Sequence, residues 1–324
     1  MMSLTMLALS AGVCAAQPPP VISLHGRDIL APDGKSLRIR GFNVLWWVPP
    51  TPEQADAIKA LGVNCVRYMF GYQPTGKFDP AKISFIPAQV RPFLDRGIWV
   101  IPVIHDFRKD GKGPWDTPEL RQEFLDMWDW VMAQFAGEPM VAAWEPINEP
   151  HDVADPALRA WYIDVVAHFR KLDPRRPIVV EGTGYSWPWN LTDAMKLDDP
   201  NIIYSFHTYG PFEYTHQKDG ANIPYPGKWS RDILAAALTP AIKFRDKYNV
   251  PVWCGEWGVK TGDPGYEIWL RDVASILEEN DLPWTHWAWA QKPDNPLDPT
   301  FDCNPQKTGI YDAMAAILKD ALAR

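Results

Sequence analysis

The feature that most constrains the fold of this chain is a regular alternation of short apolar runs with segments of helical spacing. Runs of this kind are typical of strands buried on both faces of a sheet. Eight strand–helix units in a chain of this length predict a single (β/α)8 barrel. The predicted strands lie at about 37–44 and at 63–70, 99–107, 141–147, 177–182, 202–209, 250–257 and 283–289.

Two start signals support the helices between these strands. Asp155 before Pro156 is typical of an N-cap followed by proline at the first helical position, and Thr117 before Pro118 repeats the pattern. Apolar residues then recur at helical spacing, which predicts one buried face for the helix that begins near Asp155. The members of that face are Leu158, Trp161, Tyr162, Val165 and Phe169.

A β-hairpin is predicted ahead of the barrel at 22–43, with Asp33 and Gly34 as its turn. The competing architecture is an open doubly wound sheet, which would place a glycine-rich phosphate loop after an early strand. The segment Gly41-Phe42-Asn43 is not such a loop. We therefore predict an α/β protein with one TIM barrel and an N-terminal hairpin.

Composition narrows the class of partner. A net charge of −8 disfavours nucleic acid, which proteins usually contact with a basic face. Seventeen tryptophans exceed what a core readily holds, because Trp is rarely buried completely. Some of them should line a groove, where a flat apolar ring with a polar edge is useful. We expect a monomer.

Residues 1–16 predict a secretory signal peptide, because an uncharged apolar run ends in the small residues Cys14-Ala15-Ala16. The alternatives are an apolar N-terminal strand or tail, and a lipid-anchored Cys14. No later run approaches the roughly 18 apolar residues of a membrane span. We expect a secreted or periplasmic protein whose catalytic domain is 17–324, with three remaining cysteines (Cys65, Cys254 and Cys303) that form no disulfide framework.

Polar residues interrupt the apolar runs at their carboxyl ends, where the chemistry of a barrel collects. Two of them are glutamates, Glu149 after the fourth predicted strand and Glu256 after the seventh. Opposed carboxyls across a barrel mouth suit hydrolysis of a glycosidic bond, although a single such Glu can also belong to a structural salt bridge. The other polar or aromatic strand ends are Arg67, His105, Asp106, Asn148, His207, Tyr209, Trp287 and Trp289.

His105, Asp106 and His207 are metal-ligating residue types at the ends of predicted strands, so a metal site is an alternative interpretation. The sequence has neither the H-x-H nor the H-E-x-x-H spacing that zinc sites use. We therefore predict no metal and no cofactor.

The segment Trp144–Pro150, which reads Trp-Glu-Pro-Ile-Asn-Glu-Pro, resembles the Asn-Glu-Pro signature of glycoside hydrolase family 5. The rest of that family's pattern follows in order across residues 22 to about 320. The positions that carry it are Arg67, His105, Asn148, Glu149, His207 with Tyr209, Glu256 and Trp287. The resemblance implies a (β/α)8 barrel with catalytic glutamates on the fourth and seventh strands.

The resemblance also implies roles for these residues. Glu256 would be the nucleophile, held in its ionised form by hydrogen bonds from Arg67 and Tyr209. Glu149 would be the acid/base, its pKa raised by the Glu256 charge. Asn148 would contact the 2-hydroxyl of the sugar.

His105 and His207 would bind sugar hydroxyls or orient the carboxylates. Trp287 would floor the cleaved sugar, although Trp289 on the same strand is an alternative. Trp46 and Trp47, after the first strand, are predicted to contact substrate.

Other aromatics lie in the loops after strands three, five and six. They include Trp115, Tyr185, Trp187, Trp189 and the stretch 212–229, which would form distal subsites or pack on the barrel rim. Two acidic residues are left without a catalytic role. Glu181 is expected to make a rim hydrogen bond, and Glu145 to turn away from the mouth.

The function predicted is a retaining β-glycoside hydrolase, foremost an endo-β-1,4-glucanase acting on β-glucan or a related polysaccharide. A β-mannanase, an enzyme acting on xyloglucan, and an exo-acting glucosidase or glucanase use the same chemistry. Substrate choice depends on the loops that follow the strands, so the catalytic motifs do not distinguish these activities from one another. A carbohydrate-binding barrel without catalysis is the alternative from a different class.

Overall fold

The computed structural model describes residues 20–218, 220–260, 262–289 and 310–323. The predicted signal peptide at 1–16 and the residue Cys303 lie outside these ranges. No helix in the described ranges is long and apolar enough to cross a membrane.

The sheet structure consists of a short hairpin and one parallel sheet. The hairpin pairs β1 (Ser23–His25) with β2 (Asp28–Leu30) in antiparallel register. The parallel sheet has the order β5-β4-β3-β9-β8-β7-β6. Its strands are β3 (Arg40–Leu45), β4 (Cys65–Phe70), β5 (Trp99–Ile104), β6 (Ile178–Glu181), β7 (Ile202–Thr208), β8 (Val252–Trp257) and β9 (Trp284–Trp289).

The segment 141–147, predicted as the fourth barrel strand, lies between β5 and β6. It is joined to both by isolated parallel bridges at Val141, Trp144 and Glu145 and forms no regular strand. Pro146 has no backbone N–H to donate, which interrupts the ladder at this point. With this segment in place the sheet curls round, so the predicted (β/α)8 barrel is confirmed.

Eight α-helices accompany the strands in the described ranges, and several of their ends match the sequence signals. They are α1 (Pro52–Ala60), α2 (Ile86–Leu94), α3 (Pro118–Gln134), α4 (Asp155–Leu172), α5 (Phe212–Thr215), α6 (Arg231–Tyr248), α7 (Tyr266–Glu279) and α8 (Ile310–Leu322). The side chain of Thr117 caps α3, as predicted.

Two local predictions were displaced by a few residues. The N-cap of α4 is Ala154, and the carboxylate of Asp155 instead accepts hydrogen bonds from the hydroxyls of Thr183 and Thr192. The hairpin turns at Gly26, while Asp33 and Gly34 form the next turn along the chain. Both corrections move a boundary and leave the element itself in place.

The apolar core lies between the sheet and the helices, as the buried face predicted for α4 requires. All five residues of that face are buried. The barrel interior is different, because apolar side chains fill its lower layer and a smaller upper cluster of Leu45, Met69, Val103 and Ala288, with polar side chains between them. The lower layer includes Cys65, Ile101, Ala143, Val179, Ile203 and Trp253. Polar side chains occupy the layer above it and form the floor of the site described below.

His286 on β9 is a buried histidine in an apolar setting. Its ring meets those of Trp257 and Phe42 edge to face, with centroid separations of 4.9 and 6.1 Å. Neither ring nitrogen has a hydrogen-bond partner within the described ranges. Burial lowers the pKa of His286 to about 3, because the charged imidazolium cannot be solvated there.

We predict that His286 makes the fold sensitive to acid. Below about pH 6.5 the unfolded chain binds a proton at His286 and the folded chain does not, so stability falls as the pH drops toward 3. The slope from this group approaches about 1.4 kcal/mol per pH unit. Urea unfolding at pH 7 and pH 4.5 should show a smaller loss of stability for His286→Phe than for the wild type. The exposed His25→Phe is the control, and equal losses in all three proteins would contradict the prediction.

Candidate active site

Arg67 on β4 lies at the centre of the polar layer and is fully buried. Its guanidinium makes a two-pronged contact with Glu145, with both N···O distances at 2.8 Å. It also contacts Glu256 at 2.6 Å and Glu181 at 3.1 Å. One cation therefore holds three buried carboxyls, an arrangement that needs this dense pairing because isolated charges are costly to bury. Arg67 further donates to the side-chain oxygens of Asn43 and Asn148.

Glu256, near the end of β8, has both carboxylate oxygens occupied by donors. Arg67 donates to Oε1 at 2.6 Å, and the hydroxyl of Tyr209 donates to Oε2 at 2.7 Å. Both hydrogen bonds were expected from the sequence. They fix the carboxylate at the floor of the cleft, where it is 4% exposed and still reaches the opening.

Glu149 follows the segment 141–147 with a left-handed backbone, at φ 48°. Its carboxyl group is partly exposed, and Oε1 lies 2.8 Å from Nδ1 of His207. Burial, and then the charge of Glu256, raise the pKa of Glu149, while His207 pulls it down. The pKa of Glu149 is therefore shifted upward, as the family resemblance implied. Burial contributes more to this shift than the charge of Glu256 does.

His207 on β7 lies among three carboxyl groups. Besides Glu149, its Nε2 is 3.1 Å from Glu181 and its Nδ1 is 3.7 Å from Glu256. Burial alone would lower the pKa of His207, but the charges of Glu256 and Glu181 hold it well above the usual value. Gly255 makes room for this ring, because a Cβ there would stand 2.9 Å from Nε2.

Two acidic residues lie where the sequence analysis did not put them. Glu145 was expected to turn away from the mouth, and Glu181 to sit on the rim, yet both are fully buried inside the barrel. They point inward because residue 145 continues the inward alternation of Ala143, and residue 181 that of Val179.

The pKa values of Glu145 and Glu181 are moved in opposite directions by this layer. Burial raises the pKa of Glu145 to about 8 against the pull of Arg67. Burial would also raise the pKa of Glu181, but His207 and then Arg67 hold it well below its usual value. These surroundings therefore disfavour the ionised form of Glu145 and favour the ionised form of Glu181.

A cleft of about 380 Å³ opens above this layer. It brings most of the predicted site residues together and adds four aromatic residues from the loops after β6 and β7. The lining residues are His105, Asn148, Glu149, Tyr185, Trp187, His207, Tyr209, Phe212, His216, Glu256 and Trp287.

Trp287 and Trp289 point to opposite sides of the sheet. Trp287 lines the cleft, whereas Trp289 is 1% exposed and packs against Phe42 in the outer core. The register between β3 and β9 shifts so that Val44 pairs with Trp289. Such a shift reverses which side chains face inward, so of the two rings it is Trp287 that lies at the cleft, and its contact with the sugar stays a prediction.

Trp46 and Trp47 lie beside the cleft without lining its central part. Both rings pack against His105, at centroid distances of 5.7 and 5.9 Å, and His105 in turn faces Trp287 at 6.4 Å. Gly71 lies directly beneath Trp46, because a Cβ at residue 71 would come within 2.3 Å of the indole. The three tryptophans and His105 form one wall.

A second wall is formed by loop aromatics that contact one another. Trp187 and Trp189 stack with centroids 4.9 Å apart, and Phe212 stacks on His216 at 3.9 Å. Trp189 and Phe212 are more than half exposed, which is unusual for large apolar rings. The remaining loop aromatics instead pack inward, including Trp115 against Trp161, and Tyr214 against Tyr225 and Trp229.

Phe212 and His216 lie in the predicted loop stretch 212–229, but neither residue was predicted individually to line the cleft. Asn43, which joins Arg67 to the backbone of Gly255, was missed entirely. Its signal was a polar side chain inside an apolar strand, where an unpaired amide would be costly.

Within the described ranges, the group of side chains spaced to hold a metal ion is Glu149, His207 and Glu256. It differs from the set of His105, Asp106 and His207 considered from the sequence. Their oxygens and nitrogen already face Arg67, Tyr209 and one another. An ion here would compete with the Arg67 cation, so the absence of a metal stays our prediction.

The carboxyl groups of Glu256 and Glu149 have different surroundings. Glu256 is surrounded by donors, as a carboxylate that attacks an electrophile requires. Glu149 has a raised pKa and a free path to the cleft, as a proton donor requires. A bond laid across the cleft between them would meet an acid on one side and a nucleophile on the other.

Comparison with known proteins gives a family match over most of the chain. A family model described as cellulase (glycosyl hydrolase family 5) matches residues 30–293. Endoglucanase C of Acetivibrio thermocellus is 28% identical over 212 residues, which are 54% of this chain and 61% of that protein. The chain thus matches less than two thirds of this curated relative.

Two solved structures show the same fold. The cellulose synthase subunit Z (CcsZ) of Clostridioides difficile superimposes with a TM-score of 0.74 at 22% identity, covering 87% of this chain and 99% of that one. A hyperthermophilic endo-beta-1,4-glucanase in complex with substrate gives a TM-score of 0.73 at 23% identity, with 86% and 96% covered.

Proposed function

The chain belongs to glycosyl hydrolase family 5 and is by family a glycoside hydrolase, and on that premise we propose that it cleaves β-linked polysaccharide with retention. Glu256 is the proposed nucleophile and Glu149 the proposed acid/base. The observation that carries this proposal is the distance between them. One oxygen of each carboxyl group lies within 4.8 Å of the other. Retaining enzymes separate the two groups by about 5–5.5 Å, and inverting enzymes by about 6.5–9.5 Å to admit a water.

In the first step Glu256 attacks the anomeric carbon and forms an ester with the sugar. The glycosidic C–O bond breaks, and the leaving oxygen takes the proton of Glu149. Esterification removes the Glu256 charge that helped to raise the pKa of Glu149. Glu149 can then accept a proton from water, which attacks the anomeric carbon, releases the sugar and restores Glu256 as a carboxylate.

The proposed substrate is a β-1,4-glucan cleaved at internal bonds. The name of the Acetivibrio thermocellus relative, Endoglucanase C, gives internal cleavage of a glucan for that protein, and the β-1,4 linkage is our proposal. Support from this chain comes from the two aromatic walls, because flat rings stack on the apolar faces of sugars. We place the leaving group on Trp187, Trp189 and Phe212, because the loop that carries Trp187 is hydrogen-bonded beside Glu149, from the N–H of Tyr185 to the carbonyl of Pro150. We also propose that the protein acts outside the cytoplasm.

We predict that Glu149→Gln loses activity according to the leaving group. Hydrolysis of glucan and of phenyl cellobioside should fall by about 10²–10⁴-fold, because acid assistance is removed. The first step with 2,4-dinitrophenyl cellobioside should lose much less, since this leaving group needs little protonation. Steady-state and burst kinetics on both substrates measure this, with the exposed Glu213→Gln as the control. Retention of ordinary glucan hydrolysis by Glu149→Gln would refute the assignment.

We predict that Trp187→Ala impairs long substrates selectively. The ring stacks on Trp189 at the edge of the cleft, where a short aryl cellobioside has no sugar to place. Loss of one stacking surface should lower kcat/KM on cellohexaose by up to about tenfold. The aryl cellobioside should lose less than about twofold. Equal losses on both substrates would mean that Trp187 supports the fold and does not bind sugar.

A further inference from the structure

Glu181 has no role in the steps above, yet its carboxylate is hydrogen-bonded directly to the main chain of the acid/base residue. Its Oε2 accepts the backbone N–H of Glu149 at 2.6 Å and the hydroxyl of Ser186 at 2.6 Å. Its Oε1 lies 3.1 Å from Arg67 and 3.1 Å from Nε2 of His207. The side chain is fully buried, so water does not compete for these partners.

The first route from Glu181 to the acid/base runs through the main chain. Glu149 has a φ of 48°, and Tyr185 and Ser186 on the facing loop have φ values of 64° and 57°. A residue other than glycine keeps this left-handed conformation only where its surroundings enforce it, at a cost of about 1–3 kcal/mol. Glu181 joins the two segments, because the same oxygen holds the N–H of Glu149 and the hydroxyl of Ser186.

The second route runs through His207. Its ring has Glu181 at Nε2 and Glu149 at Nδ1, with Glu256 also near Nδ1. The main-chain N–H of His207 donates to the carbonyl of Ser186, so the loop that holds Glu181 also holds this strand. The Nε2–Glu181 contact is an ion pair without hydrogen-bond geometry, and it favours the doubly protonated ring. The Nδ1–H of that ring is directed at the carboxyl group of Glu149.

We propose that Glu181 is a positioning residue, which fixes the acid/base carboxyl of Glu149 through its main-chain N–H and through the His207 ring. The proposal rests on the assignment of Glu149 as acid/base. Glu181 never touches the sugar in this scheme. Removal of its charge should therefore impair proton transfer at Glu149 more than it impairs substrate binding.

The test is Glu181→Gln, which keeps the size of the side chain and removes its charge. On phenyl cellobioside kcat should fall by about 10- to 100-fold with KM within about twofold, because a small displacement of a catalytic group is costly. On 2,4-dinitrophenyl cellobioside the loss in the first step should be about threefold or less. A structural defect would lower both activities by the same factor, and that result would overturn the proposal.

Ser186→Ala is the second variant, in case Glu181→Gln does not fold. It keeps the charge and removes one of the hydrogen bonds to Glu181, so it should show the same bias toward poor leaving groups with a smaller loss. Glu145→Gln is the matched comparison, since Glu145 shares Arg67 and burial with Glu181 but has no hydrogen bond to Glu149 or His207 among the described contacts. Its activity loss should carry no bias toward poor leaving groups, and an equal bias in Glu145→Gln would contradict the proposal.

Glu149→Gln is run beside these variants. If Glu149→Gln shows no dependence on the leaving group, the proposed function itself fails. If it shows that dependence and neither Glu181→Gln nor Ser186→Ala does, only the role of Glu181 fails.

Discussion

The site depends on one buried cation. Arg67 stands in the middle of the barrel with Glu145, Glu181 and Glu256 against its guanidinium. Each of these carboxyl groups would be expensive to bury alone, and so would Arg67. Their mutual pairing lets the interior of a barrel, usually filled by branched apolar side chains, carry charge directly beneath a cleft. The planar, five-donor guanidinium suits this role, because a lysine could not meet so many acceptors at once.

From this cation the two glutamates at the mouth acquire different surroundings. Glu256 contacts Arg67 directly and also accepts from Tyr209. Glu149 has no described contact with Arg67. Its hydrogen bonds go instead to His207, through the carboxyl group, and to Glu181, through the main-chain N–H. The pKa of Glu149 is consequently raised by burial and by the Glu256 charge. Two identical side chains thus become suited to different tasks through their distance from one arginine.

Much of the fold and of the site could be predicted from the sequence, for identifiable reasons. The barrel followed from apolar runs separated by capped helices, and Thr117 caps its helix as predicted. The positions of Glu149 and Glu256 followed from a simple rule, that polar residues at the carboxyl ends of parallel strands meet at one edge. These inferences depend on the spacing of apolar residues and on the order of the predicted strands, both of which can be taken directly from the sequence.

The predictions that were wrong concern which way a side chain points. Glu145 lies in a segment that forms only isolated bridges, so its inward direction could not be taken from a regular strand. Trp289 faces outward because of a register shift between β3 and β9. The sequence of β9 alone gives no sign of this shift. Glu181 looked like a rim residue because the strand ends there, whereas the following loop folds over it through Ser186. Each case depends on neighbours that are distant in sequence.

The proposed mechanism requires that Glu256 attack the sugar while Glu149 transfers the proton. The most direct measurement is to inactivate the enzyme with 2,4-dinitrophenyl 2-deoxy-2-fluoro-β-cellobioside, digest it, and locate the attached sugar by mass spectrometry. The electron-withdrawing fluorine slows hydrolysis of the intermediate, and the activated leaving group still allows it to form. If Glu256 is the nucleophile, one sugar per chain should be found on the peptide that carries Glu256. The Glu256→Gln variant should carry no attached sugar. A sugar attached to Glu149 or Glu181 would contradict the mechanism, as would turnover through an unlabelled enzyme that releases the α-anomer first.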